Sequence, residues 1–435
     1  MNSKPSVAIH TLGCKLNQAE SERIGRALAE SGYAVTGGDR ADILVLNTCT
    51  VTHVADRKSR HMVRMLRKNN PHALIAVTGC YAERDAGALS DCGADIVAGN
   101  EKKMELLQII KGKLHQINLI SQGSAPIEQL DRVRSFIKIQ DGCRNYCSYC
   151  IVPLVRRQVC CVPVDDVIAE VGSRVDDGYK EVVLTGTEIG AYRYEQVDLA
   201  DLIERILKRT AIQRLHLSSL QPQQITADLI DLWQDRRLCR HFHIALQSGS
   251  EAVLKRMRRR YNVNEYRKAV NNIRKKIPEA AVTTDIVVGF PGESQAEFEE
   301  SYVFGKEMEF AAIHVFAYSP RPDTFAASMP GRVSEKVKKE RSLRMLDLAA
   351  VSAENFSARF MGQTRDVLWE NEVKKGTGVY SGLTDNYIRV YTRSRVDISN
   401  TILRAKMTAP AMNADKSLVR ASTKGNYGEL WSEIV

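Results

Sequence analysis

Three cysteines in the stretch Asp141-Gly142-Cys143-Arg144-Asn145-Tyr146-Cys147-Ser148-Tyr149-Cys150 constrain this chain more than any other feature. Thiols at i, i+4 and i+7 converge on one point only around something soft, and thiolates select zinc, Cu(I) or iron-sulfur clusters. A structural zinc site closes with four protein ligands, and no further Cys or His follows here at finger spacing. Three ligands on a four-iron cube leave one iron open. The spacing therefore points to an iron-sulfur cluster with a free iron. The competing reading is three buried structural cysteines that happen to bunch.

The N-terminal part repeats strand, Cys-bearing turn, helix. Val7 to Leu12 reads as a short strand, Gly13-Cys14 opens a turn, and Asn17 is expected to cap a helix running to about Ser31. Asp42 to Asn47 is a continuous apolar run of the buried parallel kind and leads into Thr48-Cys49-Thr50; Ala73 to Val77 leads into Thr78-Gly79-Cys80. A weaker strand over 95–98 and a helix over 101–111 complete the unit. Strands alternating with helices predict a small doubly wound parallel sheet, whose ligands sit outside the carboxyl ends of the strands. Cys14, Cys49 and Cys80 all fall there, one strand-helix repeat apart, so three strands can present three thiolates to one crevice. Taken singly, each is an ordinary small residue after a strand, as Cys92 is read to be.

Gln122-Gly123-Ser124-Ala125-Pro126 reads as a linker. Beyond it the cysteine triad follows a strand over 134–139, and strand and helix signals alternate through residues 313–316 in six or seven units, short of a full eightfold barrel. A partial, open (β/α) barrel is expected. Polar residues gather where its strands end: Gly186, Thr187 and Glu188, Ser218 and Ser219, Gln247-Ser248-Gly249-Ser250, and Gly289-Phe290-Pro291-Gly292-Glu293. Singly these are turn residues; as a ring around one cluster they make a cofactor pocket. A Lys- and Arg-rich helix over 334–360 leads to short strands split by Gly and Asn, which suggest a small closed β barrel. There Tyr380, Tyr387, Arg389, Tyr391 and Arg393 interleave aromatics with cations, a pattern for stacking on bases and holding phosphates, or else a solvated basic face. The run Lys255-Arg256-Met257-Arg258-Arg259-Arg260 is a further polyanion candidate or plain helix surface.

Composition sets outer bounds. At 435 residues, about two to four domains are expected, drawn at 4–118, 130–360 and 361–435. Net charge of +10 and a pI near 9.0 favour a polyanionic partner such as RNA. Ten cysteines in a chain this long are no disulfide framework, and no apolar run spans a bilayer and no leader precedes the first strand, so the protein is expected in the cytoplasm.

Thr11-Leu12-Gly13-Cys14-Lys15-Leu16-Asn17, Asn47-Thr48-Cys49-Thr50-Val51-Thr52, Thr78-Gly79-Cys80-Tyr81-Ala82 and the Cys143 triad stand in the order seen in the radical S-adenosylmethionine (SAM) methylthiotransferases. So do Leu246 to Ser250, Thr284 to Glu293, and a C-terminal module that resembles the TRAM RNA-binding domain. The Leu-Gly-Cys-Lys-Leu-Asn form most resembles the subgroup that makes 2-methylthio-threonylcarbamoyladenosine in tRNA; sister groups act on isopentenyladenosine or a ribosomal protein. The resemblance implies two 4Fe-4S clusters. The one on Cys143, Cys147 and Cys150 would bind SAM and yield the radical that takes hydrogen from C2 of the adenine, and the one on Cys14, Cys49 and Cys80 would carry the sulfur. Gly186, Glu188, Ser218 and Gln247 would line the SAM pocket, with Tyr149 stacking on its adenine. Implied partners are a tRNA anticodon stem-loop and an electron donor such as flavodoxin or ferredoxin, with the protein acting as a monomer. Three places depart from the family pattern: Arg156-Arg157 where it has Arg-Gly, Cys161-Val162 where it has Ser-Arg, and Ala317 where it often has Pro. Cys160, Cys161 and Cys239 are read as ordinary small residues. Outside this class, an electron-transfer protein would need no SAM pocket, and a zinc-containing RNA-binding protein would leave the Cys14, Cys49, Cys80 register unexplained.

Overall fold

The computed structural model describes residues 5–116, 133–410 and 428–435. The expected linker over 122–126 lies outside them. The N-terminal unit comprises β1 (Ser6–Thr11), α1 (Lys15–Glu30), β2 (Ala34–Thr36), β3 (Ile43–Thr48), α2 (His53–Asn69), β4 (Leu74–Gly79), α3 (Cys80–Arg84), α4 (Ala86–Ser90), β5 (Ile96–Ala98) and α5 (Leu106–Gln116). Its five strands form one parallel sheet in the order β2-β1-β3-β4-β5. Strand periodicity divides the apolar runs between two faces. Ile43, Val45 and Ala76 pack beneath Ile24 and Leu28 of α1 and Leu106 and Ile110 of α5, while Leu44, Leu46, Ile75 and Val77 meet Val63 and Leu66 of α2. Both faces are covered, as the doubly wound reading requires. Asn17 is not the cap of α1: Cys14 occupies the N-cap position, and the Asn17 side chain is buried within the first turn.

The central unit runs β6 (Arg134–Asp141), α6 (Val152–Val155), β7 (Cys160–Cys161), α7 (Val164–Asp176), β8 (Glu181–Gly186), the hairpin β9 (Arg193–Tyr194) and β10 (Val197–Asp198), then α8 (Leu199–Arg209), β11 (Arg214–Leu217) and β12 (Ser219–Leu220). It continues with α9 (Ala227–Asp231), β13 (His241–Ile244), α10 (Glu251–Arg256), α11 (Val263–Lys276), β14 (Ala281–Val288), α12 (Gln295–Glu307) and β15 (Ala312–Ala317). β11 pairs with β8 and β12 with β13, so they are two halves of one strand broken at Ser218. Six parallel strands thus curve from β6 to β15, with β7 an antiparallel edge on β6. This is the partial barrel. α1 packs against β6 and β8, carrying the N-terminal unit onto the barrel.

α13 (Glu335–Ala358) lies along β15. Phe356 in its last turn and Phe360 just beyond it enter the core of a closed barrel of β16 (Thr364–Glu372), β17 (Val379–Thr384), β18 (Arg389–Arg393), β19 (Ile402–Pro410) and β20 (Leu430–Ile434). The closed barrel is the one that short strands split by Gly and Asn predict. β20, which closes the barrel between β18 and β19, is added by the fold.

Candidate active site

Each N-terminal cysteine follows a strand: Cys14 after β1, Cys49 after β3, and Cys80 as the first residue of α3. Close approach of the turns depends on glycine. Gly13 has φ of 111°, and a side-chain carbon there would fall 2.7 Å from Cys49 Cβ; Gly79 has φ of 100°, and its added carbon would fall 2.4 Å from the Thr48 carbonyl oxygen. Asn17 Nδ2 donates to the carbonyls of Leu12 (2.8 Å) and Thr48 (3.0 Å), and Thr48 Oγ1 donates to the Thr78 carbonyl at 2.6 Å. These bonds lace the three strand ends together, which explains why Asn17 belongs to the first motif. The thiols feel one another: burial, with Cys14 and Cys80 nearby, pushes Cys49 up to about 11. Asn100 Nδ2 lies 3.6 Å from Cys80 Sγ.

The second triad sits on the loop after β6. Gly142 has φ of 72°, and an added carbon would fall 2.2 Å from the Gln158 carbonyl oxygen. Ser148 pins the loop, its amide donating to the Met257 carbonyl (3.0 Å) and its hydroxyl to the Arg256 carbonyl (2.8 Å). Cys143 Sγ donates to Glu188 Oε2 at 3.2 Å, and Arg259 Nη1 donates to Cys147 Sγ at 3.3 Å. Burial foremost pushes Cys143 up to about 12 and Cys150 to about 11, with Glu188 adding to the first and Cys147 to the second. Thiols in such surroundings give up their protons to a metal centre, which supplies the missing positive charge. Three soft donors in each triad fit a cluster that leaves one of its irons open.

Of the residues expected to meet SAM, the structure sets Glu188 directly against the Cys143 loop. Glu188 Oε1 accepts from Asn145 Nδ2 (2.7 Å), Gln221 Nε2 (2.7 Å) and Gln224 Nε2 (3.1 Å), an arrangement that holds a carboxylate in place. Ser218, at the break between β11 and β12, is 6% exposed and its hydroxyl has no partner among the described residues. Gln247 is buried with φ of 69°, its amide bonded to the Asp285 carbonyl. Gly186 serves packing, since an added carbon would fall 2.7 Å from the Gln140 carbonyl oxygen. Tyr149 meets Phe290 edge-on at 6.4 Å. Two members of the expected polar ring face elsewhere: Glu293 turns back to the Gly289 amide and Arg341, and Gly249 packs on Ser301 and Phe304.

Sequence reasoning missed Arg259 as a neighbour of Cys147, because a Lys and Arg run resembles plain helix surface. It also missed the hub at Arg156, which is 5% exposed. Its guanidinium donates to Glu20 (2.9 and 3.0 Å), Asp141 (2.8 and 2.9 Å) and Asn17 (3.1 Å), joining the first cysteine motif to the strand that carries the second triad. Burial would raise Glu20, but Lys103, Arg156 and Lys138 outweigh it and hold the carboxyl far below its usual range. The neighbouring Arg157 is exposed and, among the described residues, bonds only the Leu154 carbonyl. Cys92 and Cys239 are core residues and Cys161 is half-buried, whereas Cys160 is exposed on β7.

The aromatic and cationic pattern of the C-terminal barrel is a correction. Tyr387 stacks on His216 (4.1 Å) and His241 (4.7 Å), and its hydroxyl meets Glu181. Tyr391 is fully buried on Glu429, Tyr380 belongs to the barrel core, and Arg389 pairs with Glu370 at 2.6 Å. Of the five, only Arg393 is exposed. Alternation placed the rings inward, into the barrel core and the docking contact, where bases cannot stack.

Residues 6–99 match the Uncharacterized protein family UPF0004 and residues 137–305 the Radical SAM superfamily. A Bacillus subtilis (strain 168) protein named threonylcarbamoyladenosine tRNA methylthiotransferase MtaB is 37% identical over 421 residues, covering 92% of this chain and 93% of that protein. A Thermodesulfovibrio yellowstonii protein named tRNA-2-methylthio-N(6)-dimethylallyladenosine synthase is 33% identical over 400 residues, covering 89% and 93%. Among solved structures, the radical S-adenosylmethionine methyltransferase TsrM from Kitasatospora setae, with cobalamin and a 4Fe-4S cluster bound, aligns with a TM-score of 0.53 over 99% of this chain and 88% of its own. At 12% identity that likeness is one of fold. With two cysteine triads at strand ends and relatives matched over nearly its whole length, this chain belongs to the radical SAM methylthiotransferase family.

Proposed function

We propose that this protein methylthiolates C2 of N6-threonylcarbamoyladenosine beside the anticodon of tRNA, giving 2-methylthio-N6-threonylcarbamoyladenosine. The observation that carries this reading is the pair of cysteine triads at carboxyl ends of parallel strands, tied to each other through Arg156. SAM and the clusters supply the one-electron chemistry and the sulfur that side chains lack. Cys143, Cys147 and Cys150 would hold one cluster, and Cys14, Cys49 and Cys80 the other. Glu188 offers its fixed carboxylate to the amino group of SAM, and Ser218 offers an unpartnered hydroxyl. Gln247 and Gly186 shape the wall, Tyr149 and Phe290 close its apolar side, and Arg259 offsets the negative charge of the thiolates. The residues after Cys14, and the similarity to relatives named for threonylcarbamoyladenosine, favour that substrate over isopentenyladenosine.

The reading extends to three functional units at 4–118, 130–360 and 361–435, the last contacting the anticodon stem. It also takes in a flavodoxin or ferredoxin as reductant, a monomeric state and a cytoplasmic site of action. No helix among the described residues is long and apolar enough to cross a membrane. Mass spectrometry of tRNA nucleosides from a strain lacking the gene tests the reaction. Loss of the methylthio form with accumulation of threonylcarbamoyladenosine is expected. Accumulation of isopentenyladenosine instead would move the protein to the sister group.

A further inference from the structure

Inside the partial barrel lies a second polar space, of about 310 Å³, lined among others by Lys15, His241, His243, Thr283, His314 and Tyr387. Register explains why these side chains meet: His243 stands opposite Thr283 on β13 and β14, and Asp285 opposite His314 on β14 and β15. Most of its polar groups are already engaged. His241 bonds His216 (2.8 Å) and Thr283 (3.1 Å), His243 Nε2 reaches Asp285 at 3.3 Å, and Arg134 and Arg389 both pair with Glu370. Two donors are not. Lys15 Nζ and the His314 ring make no hydrogen bond or ion pair with any described residue, although both line the cavity. Lys15 directly follows Cys14, so its side chain reaches into the cavity from the residue next to one cysteine of the N-terminal crevice. Leaving an ammonium unpaired in a half-enclosed site carries a desolvation cost that an anion would offset.

We propose that this cavity is the subsite for the threonylcarbamoyl group on N6, with Lys15 and His314 holding its carboxylate; the assignment rests on the substrate proposed above. C2 and N6 belong to the same ring of the adenine, so a base presented to the cysteine crevice extends its N6 substituent only a short distance away. The threonyl group carries a carboxylate and a hydroxyl. The carboxylate meets the two unpaired donors, and Asp285, steadied by His243, accepts from the hydroxyl. An isopentenyl group would leave Lys15 and His314 desolvated without a partner, and a pocket built for polar groups rejects an analogue lacking them strongly.

The test compares anticodon stem-loops carrying threonylcarbamoyladenosine as the free acid or as its methyl ester, bound to anaerobic cluster-loaded protein and read by fluorescence polarisation. The unaltered protein is expected to bind the acid roughly tenfold or more tighter than the ester, the scale of one charge-assisted hydrogen bond. Lys15→Met brings acid and ester to the same affinity, and Lys15→Arg restores part of the difference. Because Lys15 adjoins a cluster ligand, iron content is measured for each variant, and His314→Leu, remote in sequence from the cysteines, is expected to narrow the same acid-ester gap. Equal binding of acid and ester by a protein that still turns over threonylcarbamoyladenosine-tRNA overturns the subsite alone. Turnover of isopentenyladenosine-tRNA in its place overturns the substrate reading itself.

Discussion

Replacing Arg156 with Met tests whether the two cysteine motifs are held in register by one buried guanidinium. Arg156, Lys103 and Lys138 oppose Glu20 and Asp141, so the cluster carries three positive and two negative charges. Removing one partner from a buried ionic network costs about 3–5 kcal/mol. Here Glu20 keeps Lys103 and Lys138 (3.3 Å), and Asp141 keeps Lys138 (3.0 Å), so no carboxylate is stranded and the lower limit applies. A loss of about 3 kcal/mol is expected, lowering the melting midpoint of a chain this long by roughly 3 °C. Arg156→Lys keeps the charge but forfeits the planar fork that reaches Glu20, Asp141 and Asn17 together, and should recover only part of the loss. Anaerobic urea unfolding gives the energy, and iron per chain after reconstitution reports whether both triads still assemble. A Met variant within about 0.5 kcal/mol of the unaltered protein, the range of ordinary surface changes, would refute the reasoning.

Tyr387→Ala removes a ring stacked between the central and C-terminal barrels and is expected to cost about 3 kcal/mol in urea unfolding; a loss under about 0.5 kcal/mol would show that this stack does not fasten the two barrels. Gly186→Ala places a carbon 2.7 Å from a backbone oxygen that cannot swing away, and a loss of about 1–3 kcal/mol is expected by the same assay. Glu297 is held down to about 2, first by its hydrogen bonds from Arg256 at 2.8 and 2.9 Å. A carboxyl lowered in the folded state lends stability above its usual value near 4.5, which is lost as pH falls towards 2. Glu297→Gln should therefore flatten the acid limb of stability against pH, and an unchanged slope would show that the Arg256 pair is not coupled to folding.

The legible parts of this protein were those with a local cause. Continuous apolar runs such as Ile43 to Leu46 announce a strand covered on both faces, and a Cys at the end of each such run announces a thiol at the rim of a parallel sheet. Cys143, Cys147 and Cys150 were plain because their spacing is short enough to be set by one loop. Alternation in Tyr380, Tyr387 and Tyr391 was also seen, but the pattern is symmetric between inside and outside. Only the packing of the C-terminal barrel on the central one decided that these rings face protein.

The amino-acid sequence by itself determined most of the elements, the grouping of six cysteines into two triads and the glycines that let their turns close, because each depends on residues near in the chain. Tertiary structure alone decided what lies between the units. Arg156 reaches back to Asn17 and Glu20, Arg321 reaches Asp56 at 2.7 Å, and Lys15 enters a cavity whose other walls come from β13, β14 and the C-terminal barrel. Such partners are separated by more than a hundred residues, and a charged side chain carries no local mark of which distant group it will meet. Burial turns these charges from solvated surface into the fastenings of the site, and burial is a property of the assembled fold.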